Sequence, residues 1–269
     1  MRVVFSLVLY SHSLHTIRPL LCSIQKLADC TSKYSFVLDV YNACPHESDD
    51  PSPERIRSIL NISTLTYQYG RNIGFGSAHN RNFSNSNPKN SFLFIVVNPD
   101  ICFESSSLLP LLDWVISNPN VSCVSPLVLN SGGRIQYSAK HNPTFLSLLL
   151  GRVPRLKHIP LFDRYDRWHR NLDCDYMSHC IESTYLSGCF LLIPSHSYRM
   201  VGGFSEKYFL HLEDADIVRK LSLHGQCLHN PLGSVTHLWA RGSHASLLQM
   251  FHLVYSFFVY SVSWGVRFF

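Results

Sequence analysis

SFLFIVVNPD, residues 91–100, decides how the rest of the chain is read. Phe92, Leu93, Phe94, Ile95, Val96 and Val97 follow one another without a polar interruption. An aromatic and β-branched run with no alternation suits a parallel-sheet strand buried on both faces. Asn98-Pro99-Asp100 then turns the chain and leaves a carboxylate at the strand's carboxyl end. Ligands of open α/β sheets bind beyond those ends. Asp100 is therefore a candidate ligand for a hard cation, since Mg²⁺ takes one or two protein carboxylates and completes its shell with substrate phosphate and water. Alone, such a turn is ordinary loop chemistry.

Outward from this strand, similar runs recur at 3–10, 36–40 and 65–69. A helix is expected over 14–27, where Ile17, Leu20, Leu21, Ile24 and Leu27 share one face. Pro51 and Pro53 punctuate the loop before a short helix through Leu60. The alternation predicts an α/β fold with helices on both faces of a mostly parallel, Rossmann-like sheet. The run after Arg2 is short and lacks a small-residue cleavage site, so it reads as a buried first strand, not a signal peptide. After Pro143 the pattern changes. Residues 151–175 are irregular and carry Arg152, Arg155, Lys157, Arg164, Arg167 and Arg170. They read as a solvated loop, or as a flap that meets phosphate or an anionic membrane. A strand over 185–193 and a helix over 212–223 follow.

Composition narrows the class. The chain has 269 residues, 46% of them hydrophobic and 15% charged. A disordered chain lacks that much apolar surface, and this length can bury a sizeable core. A net charge of +5 spread along the chain argues for no nucleic acid partner, but it suits anionic small molecules or a lipid surface. Nine cysteines without a C-x-x-C pair fit free thiols in a reducing cytosol. Cys174, His179 and Cys180 lack the second ligand pair that a zinc site needs.

Two further stretches carry chemistry. NIGFGSAHN, residues 72–80, follows the third strand; its glycines allow close backbone approach, and the amides opening the next helix can receive an anion. It lacks the third glycine of a dinucleotide fingerprint. GGFSEKYFLHLEDAD, residues 202–216, sets Glu213, Asp214 and Asp216 at a helix start. Three carboxylates there make a favourable charged first turn. Equally, one of them can serve as a general base whose pKa its neighbours raise.

In this order and spacing, VVFSLVLYSH, NIGFGSAHN, FLFIVVNPD, YLSGCFLLI, GGFSEKYFLHLEDADIVRKL and His237 with Arg241-Gly242-Ser243 resemble the family-2 glycosyltransferases of GT-A fold, especially their rhamnosyltransferase-like branch. The resemblance spans most of residues 1–245. It implies a nucleotide-diphosphate sugar donor, Mg²⁺ or Mn²⁺, inversion at the anomeric carbon, and a saccharide or polyprenyl-diphosphate-linked acceptor in cell-surface, O-antigen-like polysaccharide synthesis. It further implies Asp214 as general base with Glu213 beside it, and Asp100 and His237 as metal ligands. Asn42, Asn72, Gly74, Asn80, Asn98 and Asp100 would lie on the nucleotide-sugar side, and Gly188 and Asp216 on the acceptor side. One position departs: the family usually has an acid before Asn42, and here Tyr41 stands there, with Asp39 displaced by two, in a segment that runs on to Cys44.

The expected organisation is a GT-A domain over 1–245, with its nucleotide-sugar part at 1–130 and its acceptor and catalytic part at 131–245. A C-terminal apolar helical extension follows at 246–269. Its residues 251–269 hold one formal charge, Arg267, and would span about 28 Å as a helix at ~1.5 Å per residue. They read as a helix packed on the domain, as an interfacial segment meeting a lipid-linked acceptor, or as a spanning helix, with strand-like alternation over 262–268. The resemblance implies a cytoplasmic protein, peripheral at the inner face of the cytoplasmic membrane. A sugar-phosphate nucleotidyltransferase would need a glycine- and arginine-rich loop after strand one, where Ser11-His12-Ser13-Leu14-His15 stands. Two carboxylates also describe glycosidases, which leaves residues 72–80 unexplained. A non-catalytic, membrane-associated relative is the remaining alternative.

Overall fold

A computed structural model describes residues 1–43, 51–86, 90–238 and 247–269. Cys44 and the Arg241-Gly242-Ser243 motif lie outside the described residues. The first half alternates as expected: β1 (Arg2–Leu9), α1 (Leu14–Asp29), β2 (Ser35–Asn42), α2 (Pro53–Arg57), β3 (Thr64–Tyr69), α3 (Phe75–Asn85) and β4 (Phe92–Val97). Their strands lie parallel in the order β3-β2-β1-β4. The unbroken apolar run of β4 serves two cores at once. Leu93, Ile95 and Val97 join Leu20 and Ile24 of α1 on one face. Phe92, Phe94 and Val96 join Phe83 of α3 on the other. Each such side chain, fully buried, contributes roughly 1.5–3 kcal/mol.

The chain continues through β5 (Ile101–Cys102), α4 (Ser105–Ser117), β6 (Val121–Asn130), β7 (Ala139–Lys140), α5 (Phe145–Arg152), a 3₁₀ turn (Pro154–His158) and α6 (Pro160–His169). Then come β8 (Ile181–Glu182), β9 (Tyr185–Leu186), β10 (Phe190–Pro194), α7 (Ser195–Met200), α8 (Glu213–Leu221), β11 (Gln226–His237) and α9 (Leu247–Trp264). β10 inserts antiparallel between β4 and β6, β11 runs parallel to β6, and β5 and β8 pair with β11. The fold is α/β with a mostly parallel sheet flanked by helices and an apolar C-terminal helix.

Three expectations are corrected. The strand expected over 185–193 is two strands: β9 pairs with β7, and β10 joins the main sheet. Between them the Gly188 N–H leaves the ladder to donate to Asp214 Oδ2 at 3.0 Å. Residues 151–175 are not irregular, because α6 buries Asp166, whose carboxylate holds Lys157 at 2.9 Å and Arg170 at 3.5 Å. The alternation over 262–268 belongs in part to α9, which is helical to Trp264.

α9 packs on the domain. Ser256 Oγ donates to Leu210 O at 2.8 Å, Arg219 donates to the Tyr260 hydroxyl at 3.0 Å, and the Trp264 indole donates to Asp216 Oδ1 at 2.9 Å. Val259 and Tyr260 close a small core with Tyr208, Leu212 and Ala215. The opposite face leaves Leu248, Phe251, Val254, Tyr255, Phe258 and Val262 exposed. By length and composition α9 is long and apolar enough to cross a membrane.

Candidate active site

A cleft of about 810 Å³ opens where β1, β3 and β4 end. Tyr10 and His12 line it after β1, Asn72 to Phe75 after β3, and Asn98 to Asp100 after β4. Phe209 to His211, His237, and Leu248, Gln249 and His252 of α9 complete the wall. Asn72 Oδ1 accepts from the Gly74 N–H at 3.2 Å, which shapes the turn into α3. Gly74 has φ +89°, and a Cβ there would lie 2.5 Å from Phe209 O. Only glycine satisfies both conditions. α3 starts without a side-chain cap, and its first N–H, that of Phe75, donates to Phe209 O at 3.2 Å.

Asp100 and His237 meet at this cleft, with Nε2 3.2 Å from Oδ1. His237 Nδ1 lies 3.0 Å from Gln136 Oε1. That contact holds the ring with Nε2 toward the carboxylate. Burial pushes the Asp100 carboxyl up, but the hydrogen bond and charge of His237 outweigh it and hold it below the usual value. Among the described residues no group of three or more His, Cys, Asp or Glu side chains is gathered to cage an ion. The pair therefore fits Mg²⁺ or Mn²⁺ that draws its remaining ligands from a diphosphate and water.

The second element is Asp214. His211 and Leu212 have φ of +72° and +64°, left-handed values that are costly for non-glycine residues. The strained bend starts α8 directly against Gly188. Asp214 Oδ2 accepts from Gly188 N–H, and Oδ1 accepts from Ala215 N–H at 2.9 Å. A Cβ on Gly188 would lie 3.1 Å from Asp214 Cβ and 3.5 Å from the Phe75 ring. Base, glycine and cleft wall thus converge at one point. Burial raises the Asp214 carboxyl, against the Gly188 N–H and the charge of Lys140. Glu213 is also raised, by burial and then by Asp214.

Asn72, Gly74, Asn98, Asp100 and His237 all reach the cleft, and Gly188 holds Asp214. Three expected site residues are placed elsewhere. Asn80 lies on the far side of α3: its Oδ1 accepts from Tyr198 OH and Phe204 N–H, and its Nδ2 donates to Phe204 O, which brackets the Gly202-Gly203-Phe204 turn. Asn42 is 2% exposed and donates to Tyr67 OH at 3.0 Å, tying β2 to β3. Asp216 is 1% exposed and is held by Trp264 and by Lys220 Nζ at 2.6 Å, so it anchors α9 and faces no acceptor. Tyr41 donates to Arg71 O at 2.8 Å in space left by Gly70, and Asp39 bonds Ser86 in a buried network below the sheet. Gln136, Phe75 and Lys140 went unrecognised in the sequence, since each acts only through a partner distant along the chain.

No family model matches the chain. Its fold is that of the GT-A glycosyltransferases. The structure of GalNAc-T7 with UDP, GalNAc and Mn²⁺ aligns with TM-score 0.63 at 15% identity, covering 94% of this chain and 46% of that one. S. aureus TarS 1-349 with UDP aligns at 0.57 and 16%, covering 89% and 61%. The mannosyltransferase PcManGT of Pyrobaculum calidifontis, with GDP-Man and Mn²⁺, aligns at 0.55 and 14%, covering 98% and 65%. In sequence the chain is 30% identical over 206 residues to the N-acetylglucosaminyl-diphospho-decaprenol L-rhamnosyltransferase of Mycobacterium tuberculosis, covering 71% of this chain and 63% of that relative. The likeness to the rhamnosyltransferase, of whose length the chain spans less than two thirds, supports a family-2, rhamnosyltransferase-like assignment, and the solved structures support the fold.

Proposed function

We propose that this chain is an inverting glycosyltransferase that moves a sugar, in the first instance rhamnose, from a nucleoside diphosphate donor to a saccharide or polyprenyl-diphosphate-linked acceptor, within cell-surface, O-antigen-like polysaccharide synthesis. The observation that carries this reading is that Asp100 and His237 meet on the cleft that Phe75 lines, while Gly188, whose Cβ position lies 3.5 Å from the Phe75 ring, holds Asp214 behind that wall. The rhamnosyltransferase relative and the sugar-nucleotide ligands of the structural neighbours support it.

Asp214 takes the proton of the acceptor hydroxyl as the hydroxyl attacks the anomeric carbon and the nucleoside diphosphate departs. Its raised proton affinity suits a base working near neutrality. The turn from Asn72 to Phe75 receives the nucleotide side. Asp100 and His237 would hold Mg²⁺ or Mn²⁺, which when bound neutralises charge on the leaving diphosphate. Alignment of donor and acceptor supplies about 7–11 kcal/mol in favourable cases.

In this reading residues 1–130 carry the nucleotide side, residues 131–245 the base and acceptor side, and residues 246–269 the contact with the membrane. The exposed apolar face of α9 supports peripheral attachment at the cytoplasmic face. A thermal-shift and hydrolysis screen of dTDP-, UDP- and GDP-sugars with Mg²⁺ or Mn²⁺ tests the function. Stabilisation by one sugar nucleotide that requires both the metal and Asp100 is expected, and indifference to all of them would overturn it.

A further inference from the structure

A second cavity, of about 500 Å³, opens between Lys140, Tyr185 and the segment from Gly151 to Arg170. Lys140, Arg152, Lys157 and Arg170 line it with one carboxylate, Asp166. Asp166 holds Lys157 and Arg170 in place, so it organises the cations and cancels only one charge. Among the described residues neither Lys140 nor Arg152 has a carboxylate at ion-pair distance. Lys140 lies over the Tyr185 ring at 4.9 Å; burial lowers its pKa, against the charge of Asp214. His169, on the same wall and 7% exposed, has an Nε2 without a hydrogen-bond partner. Burial lowers its pKa to about 4, so it adds a neutral polar atom to the wall. A net charge of about +3 with aromatic and apolar flanks suits a compact polyanion with an apolar continuation.

The position is informative. Lys140 couples this cavity to the base, and Leu253 of α9 lines it one residue after His252 lines the sugar-nucleotide cleft. Beside it, Val254 and Phe258 of α9 are exposed. Arg152, Lys157 and Arg170 belong to the basic stretch that the donor cleft leaves unused.

We propose that this cavity binds the diphosphate of a lipid-linked acceptor through Lys140, Arg152, Lys157 and Arg170, and directs the first sugar toward Asp214. This rests on the glycosyltransferase reading, and its test needs neither donor nor turnover. Inorganic pyrophosphate is titrated calorimetrically into the full chain in EDTA, and into Asp100→Ala, Arg152→Ala and Arg152→Ala/Lys157→Ala. Both substituted cations are partly or fully exposed, so these variants keep the fold. Pyrophosphate should bind the wild type and Asp100→Ala equally. Affinity should fall at least tenfold in Arg152→Ala and further in the double variant, while binding of nucleoside diphosphate with Mn²⁺ stays unchanged. Wild-type affinity in the double variant, no binding to the wild type, or loss of binding in Asp100→Ala would each overturn the proposal. A cavity that serves bilayer phosphates would instead bind pyrophosphate no tighter than inorganic phosphate, and the double variant would lose flotation with phosphatidylglycerol vesicles. That result also overturns it. Absence of sugar transfer with pyrophosphate binding intact would count against the proposed function alone.

Discussion

Replacing Asp214 with Asn separates chemistry from architecture. Both carboxylate oxygens accept a backbone N–H, from Gly188 at 3.0 Å and from Ala215 at 2.9 Å. An amide has one acceptor oxygen, so Asn keeps one of these bonds and turns its NH₂ toward the other donor. A buried N–H left unpaired costs about 1–3 kcal/mol. Removing a like charge beside Glu213 offsets part of that. The expected loss of stability is therefore a few degrees in Tm at about 2–4 °C per kcal/mol. Loss of a general base costs about 10²–10⁴-fold in rate, or about 2.7–5.4 kcal/mol of barrier at 1.36 kcal/mol per decade. The kinetic defect should thus exceed the structural one and appear in kcat, because Asp214 does not line the donor cleft. Donor affinity by calorimetry with Mn²⁺ and transfer rate by product chromatography are measured on one preparation. Turnover near the wild-type rate, or lost donor binding with turnover preserved, would refute the assignment.

Asp100→Ala should abolish metal-dependent donor binding and leave Tm within a degree or two, since a strand-end turn supports little core; calorimetry with and without EDTA decides it. The folded state holds the Glu213 proton above the ordinary value of 4.5. It therefore binds more protons than the unfolded state from about that pH up to the raised value, and stability falls as pH climbs through the window. Glu213→Gln should flatten that fall in a Tm-versus-pH series; an unchanged slope would locate the dependence elsewhere. Phe251→Ser/Phe258→Ser alters only the exposed face of α9 and should reduce flotation with anionic liposomes without shifting Tm, whereas equal flotation would remove α9 as the attachment site.

The sequence carried the left half of the sheet almost whole. β1 to β4 are runs rich in β-branched and aromatic residues, that of β4 wholly apolar, and the turn after β4 carries its carboxylate by proximity along the chain. The failures share one cause. Asn80 stands in a motif that points to the nucleotide, yet its side chain is claimed by Tyr198 and Phe204, more than a hundred residues away. Asp216 looks like its two acidic neighbours until Trp264 arrives over it. The 185–193 run reads as one apolar strand, yet it breaks at Ser187-Gly188, where the Gly188 N–H turns to Asp214. Periodicity reports burial, but not which distant side chain uses a given polar atom.

α9 furnishes a wall to both cavities, with Leu248, Gln249 and His252 on one and Leu253 on the other. The two sites therefore share one docking equilibrium. A ligand that binds only when α9 is seated stabilises the seated state by RT ln(1 + [L]/Kd), and that free energy is available to the other ligand. Reciprocity then requires each substrate to tighten the other by the same factor. Binding order would then be a question of concentrations, with no separate gate required, because one helix with an exposed apolar face is common to both cavities.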